Sequence, residues 1–205
     1  MKKLILIALC LTFSGLAKDS PPITKVLFLG DSLTEGYGVK KELAYPYQAK
    51  TFLEKEGHKI EVLNGSVSGS TTASALSRLK WFLKGKPQLL FLALGANDGL
   101  RGIKVEESKK NLASAIELAQ EKGVKVVIAG MLVPPNYGPD YGREFKAMYK
   151  DLSEKYKTAY LPFLLKGVAG ETEFNQEDGI HPNEKGHKKM GKLVADHLMN
   201  LLKEE

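Results

Sequence analysis

Four short polar stretches carry residue types that together could perform acyl transfer. They are Gly30-Asp31-Ser32, Ser68-Gly69-Ser70, Gly95-Ala96-Asn97-Asp98 and Asp178-Gly179-Ile180-His181-Pro182. A serine hydroxyl is a weak nucleophile until a base takes its proton. His181 is the candidate base for Ser32, and Asp178, three residues earlier, can accept from the second ring nitrogen and fix the tautomer. A developing oxyanion needs donors in place before the reaction starts. The Asn97 amide and the backbone N–H groups of Ser32 and Gly69 can supply them, and Gly69 has no side chain to obstruct approach. Such a base works only as neutral imidazole, so hydrolysis should fall below about pH 6.5, the reference value for histidine.

Each of these residues also has a plainer reading. Ser32 could be a turn or helix-cap residue, and Asn97 a turn residue. Asp31 and Asp98 can serve as acceptors for nearby loop donors, and Ser66, Ser68 and Ser70 as loop hydrogen-bonders. His187, six residues after His181, could join His181 and Asp178 around a metal, but that spacing fits no standard site. No metal or organic cofactor is expected. His58 follows a glycine between elements and should be exposed; His197 falls on a helix face.

The elements that must carry these stretches can be read from apolar periodicity. Val26–Leu29, Ile60–Leu63, Leu89–Leu94 and Val124–Ala129 are continuous apolar runs of the kind found in strands covered on both faces. Thr158–Leu161 suggests a short edge strand. Helices are expected from Pro46 towards Glu56, through Leu76, Leu79 and Leu83, over Glu106–Lys122, over Arg143–Tyr156, and from near Asn183 to Leu202. Ser70, Thr71 or Thr72 can cap the second of these. Met131–Tyr141 holds three prolines and reads as a shaped loop, and Leu164–Asp178 is poorly patterned. Strands alternating with helices imply an α/β domain, a three-layer α/β/α sandwich with a mostly parallel sheet. Ligands bind beyond the carboxyl ends of such strands, which is where the first three polar stretches fall.

The chain begins with a basic Met1-Lys2-Lys3, an apolar run from Leu4 to Phe13, and small residues to Ala17. This is the pattern of a secretory signal peptide, residues 1–17, cleaved after Ala17, and residues 18–205 then form a single domain. The apolar run is too short for a stable membrane span. A lipoprotein signal at Cys10 is disfavoured by the bulky Leu9 before it. The expected product is soluble, periplasmic or secreted, and a monomer. Cys10 is the only cysteine, so the mature chain would have neither a disulfide nor cysteine chemistry. The formal charge is +6, reduced to +4 when Lys2 and Lys3 leave. With lysines spread among glutamates and only Arg78, Arg101 and Arg143 as arginines, no nucleic-acid partner is expected.

Several familiar motifs are missing. Gly30–Gly36 lacks the Gly-Lys-Ser/Thr ending of a P-loop, and the first strand has no triple-glycine dinucleotide turn. Ser32 has no Gly-x-Ser-x-Gly elbow around it.

In their order along the chain, Gly30-Asp31-Ser32-Leu33-Thr34, Gly69, Gly95-Ala96-Asn97-Asp98 and Asp178-Gly179-Ile180-His181-Pro182 resemble the blocks of the SGNH (GDSL) hydrolase family. The resemblance implies a flavodoxin-like sheet of about five strands. It implies Ser32, Asp178 and His181 as the triad, and Ser32, Gly69 and Asn97 as the oxyanion hole. The extended block Leu94–Gly102 and the segment Leu132–Tyr141 resemble the periplasmic thioesterase/lysophospholipase and arylesterase branch of that family. From that branch, Leu33, Leu132, Pro135, Asn136, Tyr137 and Ile180 are expected to line or gate a substrate groove. The implied substrate is a small acyl ester or thioester, including a lysophospholipid. Two other readings stay open: a carbohydrate-ester deacetylase of the same fold, and an acyl- or lipid-binding protein without turnover.

Overall fold

The computed structural model describes residues 23–202, except the side chain of Pro135; the expected signal peptide lies outside the described residues. Strand β1, Ile23–Gly30, is followed directly by a single helical turn, α1, Ser32–Glu35. Helix α2, Tyr45–Lys55, opens on Pro46, whose missing N–H costs nothing in a first turn. Then come β2, Lys59–Asn64, helix α3, Ala75–Phe82, and β3, Leu89–Ala93. A second short helix, α4, Ala96–Leu100, precedes α5, Val105–Glu121. The chain ends with β4, Lys125–Ala129, α6, Gly138–Tyr156, β5, Ala159–Leu161, and α7, Glu184–Leu202.

The five strands are all parallel, in the order β2-β1-β3-β4-β5. Helices cover both faces. Helix α2 packs against α7, and α5 packs between α3 and α6. The middle strands are buried on both faces, which is why Val26–Leu29 and Leu89–Leu92 are apolar without alternation. Phe28, Phe91 and Tyr45 meet ring to ring, and the Tyr45 hydroxyl lies 3.0 Å from Thr34 Oγ1, so this part of the core is bonded to the Ser32 turn.

Four local features differ from the periodicity reading. The Ser32 turn and the Ala96–Leu100 stretch are helical rather than open loops. Helix α6 begins at Gly138, earlier than Arg143, because Pro139 and Asp140 are good first-turn residues. Thr72 does not cap α3 directly; it opens a 3-10 turn, Thr72–Ser74, and spends its hydroxyl on Asp98. His58 is half-buried rather than exposed.

Candidate active site

Gly30 is the last residue of β1, and Asp31 caps the turn that follows by accepting the Leu33 N–H at 3.1 Å. This cap places Ser32 at the first helical position, where a backbone N–H has no acceptor within the helix. Ser32 therefore presents a hydroxyl and an unclaimed N–H from one residue. The α1 turn is closed by the Glu35 N–H on Asp31 O at 2.8 Å and the Gly36 N–H on Ser32 O at 3.1 Å.

The last polar stretch comes back over this turn from the far end of the chain. His181 Nε2 lies 2.9 Å from Ser32 Oγ, and His181 Nδ1 lies 2.7 Å from Asp178 Oδ2. The other oxygen of Asp178 accepts the backbone N–H groups of Ile180 and His181 at 3.0 and 2.9 Å. Those bonds and the imidazole hold the Asp178 carboxyl down at about 2, so it is ionised throughout the neutral range. The Tyr37 ring lies against the imidazole, centroids 4.6 Å apart.

Asn97 lines one cavity with Ser32 and His181, and the Gly69 loop is bonded to the helix that carries Asn97. The Asn97 amide donates to Ser70 O at 3.1 Å, and Arg101 donates to Gly69 O at 3.1 Å, tying α4 to the loop after β2. Gly69 has φ +76°, a conformation that glycine adopts without strain. The turn there is closed by the Ser70 N–H on Val67 O, which leaves the Gly69 N–H outside the turn's own bond. Beneath them Asp98 is buried, accepting Thr72 N–H, Thr72 Oγ and Ser108 Oγ at 2.9, 2.5 and 2.9 Å. It is a structural acceptor that locks α4 to α5 and to the start of α3.

Asp31 is fully buried, and one of its oxygens has no partner among the described residues. Burial outweighs the Leu33 bond and pushes its carboxyl up to about 6. His187 is buried as well, accepting the Tyr45 N–H at 3.3 Å on Nδ1. Desolvation lowers it to about 4. One ring nitrogen is thus spent on the α2 backbone, and His187 belongs to the packing of α7 against α2 rather than to a metal site with His181.

A cavity of about 520 Å³ opens at Ser32 and His181. It runs past Asn97 and Leu100 after β3 and Met131 and Leu132 after β4 to Phe163 after β5. Leu33, Leu132 and Ile180 are in its wall. Asn136 and Tyr137 are not in that wall. Tyr137 turns away from it, donating to Leu100 O at 3.1 Å and packing over Gly102, where a Cβ would collide with its ring. The side chain of Pro135, the third of that trio, lies outside the described residues. Gly69 is not a wall residue either; its loop is tied to the wall through Ser70 O, which accepts the Asn97 amide.

The stretch from Leu165 to Gln176, which the sequence offers as a wall of the groove without naming its residues, contributes Leu165 and Ala169; Phe163, Tyr37, Arg78 and the role of the Gln176 amide were not anticipated. Arg78 donates to Gly30 O at 3.1 Å and Ser70 Oγ at 3.0 Å, joining the first two loops. The one signal for it was composition. A chain that uses lysine for nearly all its cations places an arginine where a planar fork of donors is needed.

Residues 28–189 match the model of the GDSL-like Lipase/Acylhydrolase family. The chain is 37% identical over 191 residues to an arylesterase of Vibrio mimicus, covering 93% of this chain and 96% of the relative. It is 32% identical over 193 residues to the thioesterase 1/protease 1/lysophospholipase L1 of Escherichia coli, covering 94% of this chain and 89% of the relative. The crystal structure of TesA superposes with a TM-score of 0.83 at 37% identity, over 87% of this chain and 99% of that one.

Proposed function

The chain belongs to the GDSL-like lipase/acylhydrolase family, and from that premise we propose how its own residues carry the chemistry. The protein is a carboxylic ester hydrolase of the serine type. Ser32 Oγ attacks the acyl carbonyl while His181 Nε2 takes its proton. The carbonyl oxygen, now anionic, is met by the N–H groups of Ser32 and Gly69 and the Asn97 amide. His181 gives that proton up to the leaving alkoxide or thiolate, which regenerates the neutral imidazole, and an acyl-serine remains. Water, deprotonated by the same imidazole, then releases the acid. Asp178 stays ionised and steadies the imidazolium at each crossing. The observation that carries this reading is the unbroken relay of 2.9 and 2.7 Å contacts from Ser32 through His181 to Asp178, opening on the 520 Å³ cavity.

The cavity also supports an acyl substrate with some chain length. Most of its wall side chains are apolar, and Leu100, Leu132 and Ile180 remain exposed at its mouth. A groove of that chemistry suits fatty acyl esters, thioesters and lysophospholipids better than acetylated sugars. Each methylene withdrawn from water contributes about 0.8 kcal/mol. Hydrolysis of p-nitrophenyl esters from acetyl to palmitoyl should therefore quicken well beyond acetate before the cavity is filled. Cleavage of acetate alone would favour a deacetylase instead. Among the described residues no helix is long and apolar enough to cross a membrane. We place the working protein in the periplasm or outside the cell, after loss of residues 1–17.

A further inference from the structure

The Asp178–His181 segment belongs to no strand or helix. Something must hold it at hydrogen-bond distance from a serine 149 residues earlier in the chain. Gln176 stands at that junction. Its amide nitrogen donates to Tyr37 O at 2.8 Å and to Pro182 O at 3.0 Å, so both N–H groups are used. Its backbone N–H donates to His181 O at 2.8 Å, and its carbonyl accepts the Gly179 N–H at 3.0 Å. On the other side, the Tyr37 N–H donates to Ser32 O at 3.0 Å, and the Tyr37 ring lies on the imidazole. Gly38 has φ +76°, and a Cβ there would stand inside the Gln176 amide. The close approach of the two loops thus depends on a bare backbone at Gly38 and an amide at Gln176.

These contacts form a closed circuit: Ser32, Tyr37, Gln176, Pro182, His181 and back to Ser32. We propose that Gln176 is a positioning residue for the hydrolysis, clamping the loop after the Ser32 turn to the loop of Asp178 and His181. It touches neither substrate nor reacting atoms. It acts by fixing where the imidazole stands between the Tyr37 ring, Asp178 and Ser32 Oγ. Misplacing a reacting pair by about 1 Å can cost on the order of a hundredfold in rate. The inference rests on the Ser32–His181 reading above.

Gln176→Ala removes the clamp. Gln176→Glu keeps its size but sets an acceptor against two carbonyl oxygens. Both variants should lose ~10- to 100-fold in kcat, with KM within about threefold, as expected when only alignment is damaged. Titration with a p-nitrophenyl phosphonate should still count a full complement of sites, each reacting more slowly in proportion to kcat/KM. A merely structural glutamine would instead lower Tm and the count of sites while leaving kcat per site intact, and that result would overturn the proposal. Gly38→Ala offers a second approach. Its strain at φ +76° is common to both backgrounds and cancels in a double-variant comparison. Gly38→Ala should cost far less kcat in Gln176→Ala than in the native chain; equal losses in the two backgrounds count against the clamp. If Ser32→Ala is inactive while both Gln176 variants behave as native, only the clamp fails. If Ser32→Ala retains full activity, the underlying reading fails with it.

Discussion

Asp31 and Asp178 flank the same histidine with opposite electrostatics. Asp178 is partly open to solvent and fed by two backbone N–H groups, so its charge is held. Asp31 is buried next to Ser32 and accepts the Leu33 N–H on one oxygen while the other has no partner among the described residues, so its charge is penalised. In the unfolded chain its carboxyl ionises near 3.8, whereas the folded value is about 6. Between those values the native state holds the extra proton, so stability contributed by this site falls as pH rises and is lowest above 6. The gap corresponds to something on the order of 3 kcal/mol. Asp31→Asn keeps an acceptor for the Leu33 N–H and removes the charge. Its Tm advantage over the native protein should be small at pH 4 and grow as pH rises through 6; thermal melts across that range test this, and a constant difference would refute it. The triad candidates were legible at this scale because their residue types have specific chemistry. Tyr37 and Gln176 were not, because their ties to the site run through main-chain carbonyls or ring stacking, which leave no mark in residue type.

The element endings aim the site. Strands β1, β2 and β3 finish in step, Phe28 beside Asn64 and Gly30 beside Ala93, so the loops leaving them start at one edge. Gly95, at φ +127°, makes the turn from β3 into α4. A Cβ there would meet the Tyr149 hydroxyl, which donates to Leu94 O at 3.1 Å from the buried face of α6. Gly95→Ala should cost about 2–4 kcal/mol from backbone strain and the displaced tyrosine, read as a lower midpoint in urea. It should also reduce activity, since α4 carries Asn97. An unchanged midpoint would mean that the turn tolerates a side chain. The strands and long helices were legible because buried parallel strands and amphipathic helices leave continuous or periodic apolar patterns. Helices α1 and α4 were not, because one turn is too short to show a period. What marks them is the cap, Asp31, and the positive-φ glycine, Gly95.

At the scale of the molecule, the sheet order turns a list of loops into one cavity. The wall advances from the end of β1 to β3, β4 and β5, three steps of about 4.8 Å between neighbouring strands. No apolar period encodes that order. It follows from where right-handed crossovers deposit each helix, which depends on the whole chain. The far wall, after β5, comes from the stretch with the least pattern, and its side chains set the room left for the acyl group. Among the described residues, the same arrangement leaves six of the eight large exposed apolar side chains on segments that follow the strands' carboxyl ends: Tyr37, Val67, Leu100, Leu132, Tyr137 and Ile180.

Two-step hydrolysis requires an acyl-enzyme at Ser32. The direct measurement is mass spectrometry of the protein after brief exposure to a p-nitrophenyl alkylphosphonate, with peptide mapping of the adduct. The expected result is one phosphonyl group per chain, on Ser32, with hydrolysis lost in proportion to labelling and neither event in Ser32→Ala. A label on any other residue, or full esterase activity in Ser32→Ala, would contradict it.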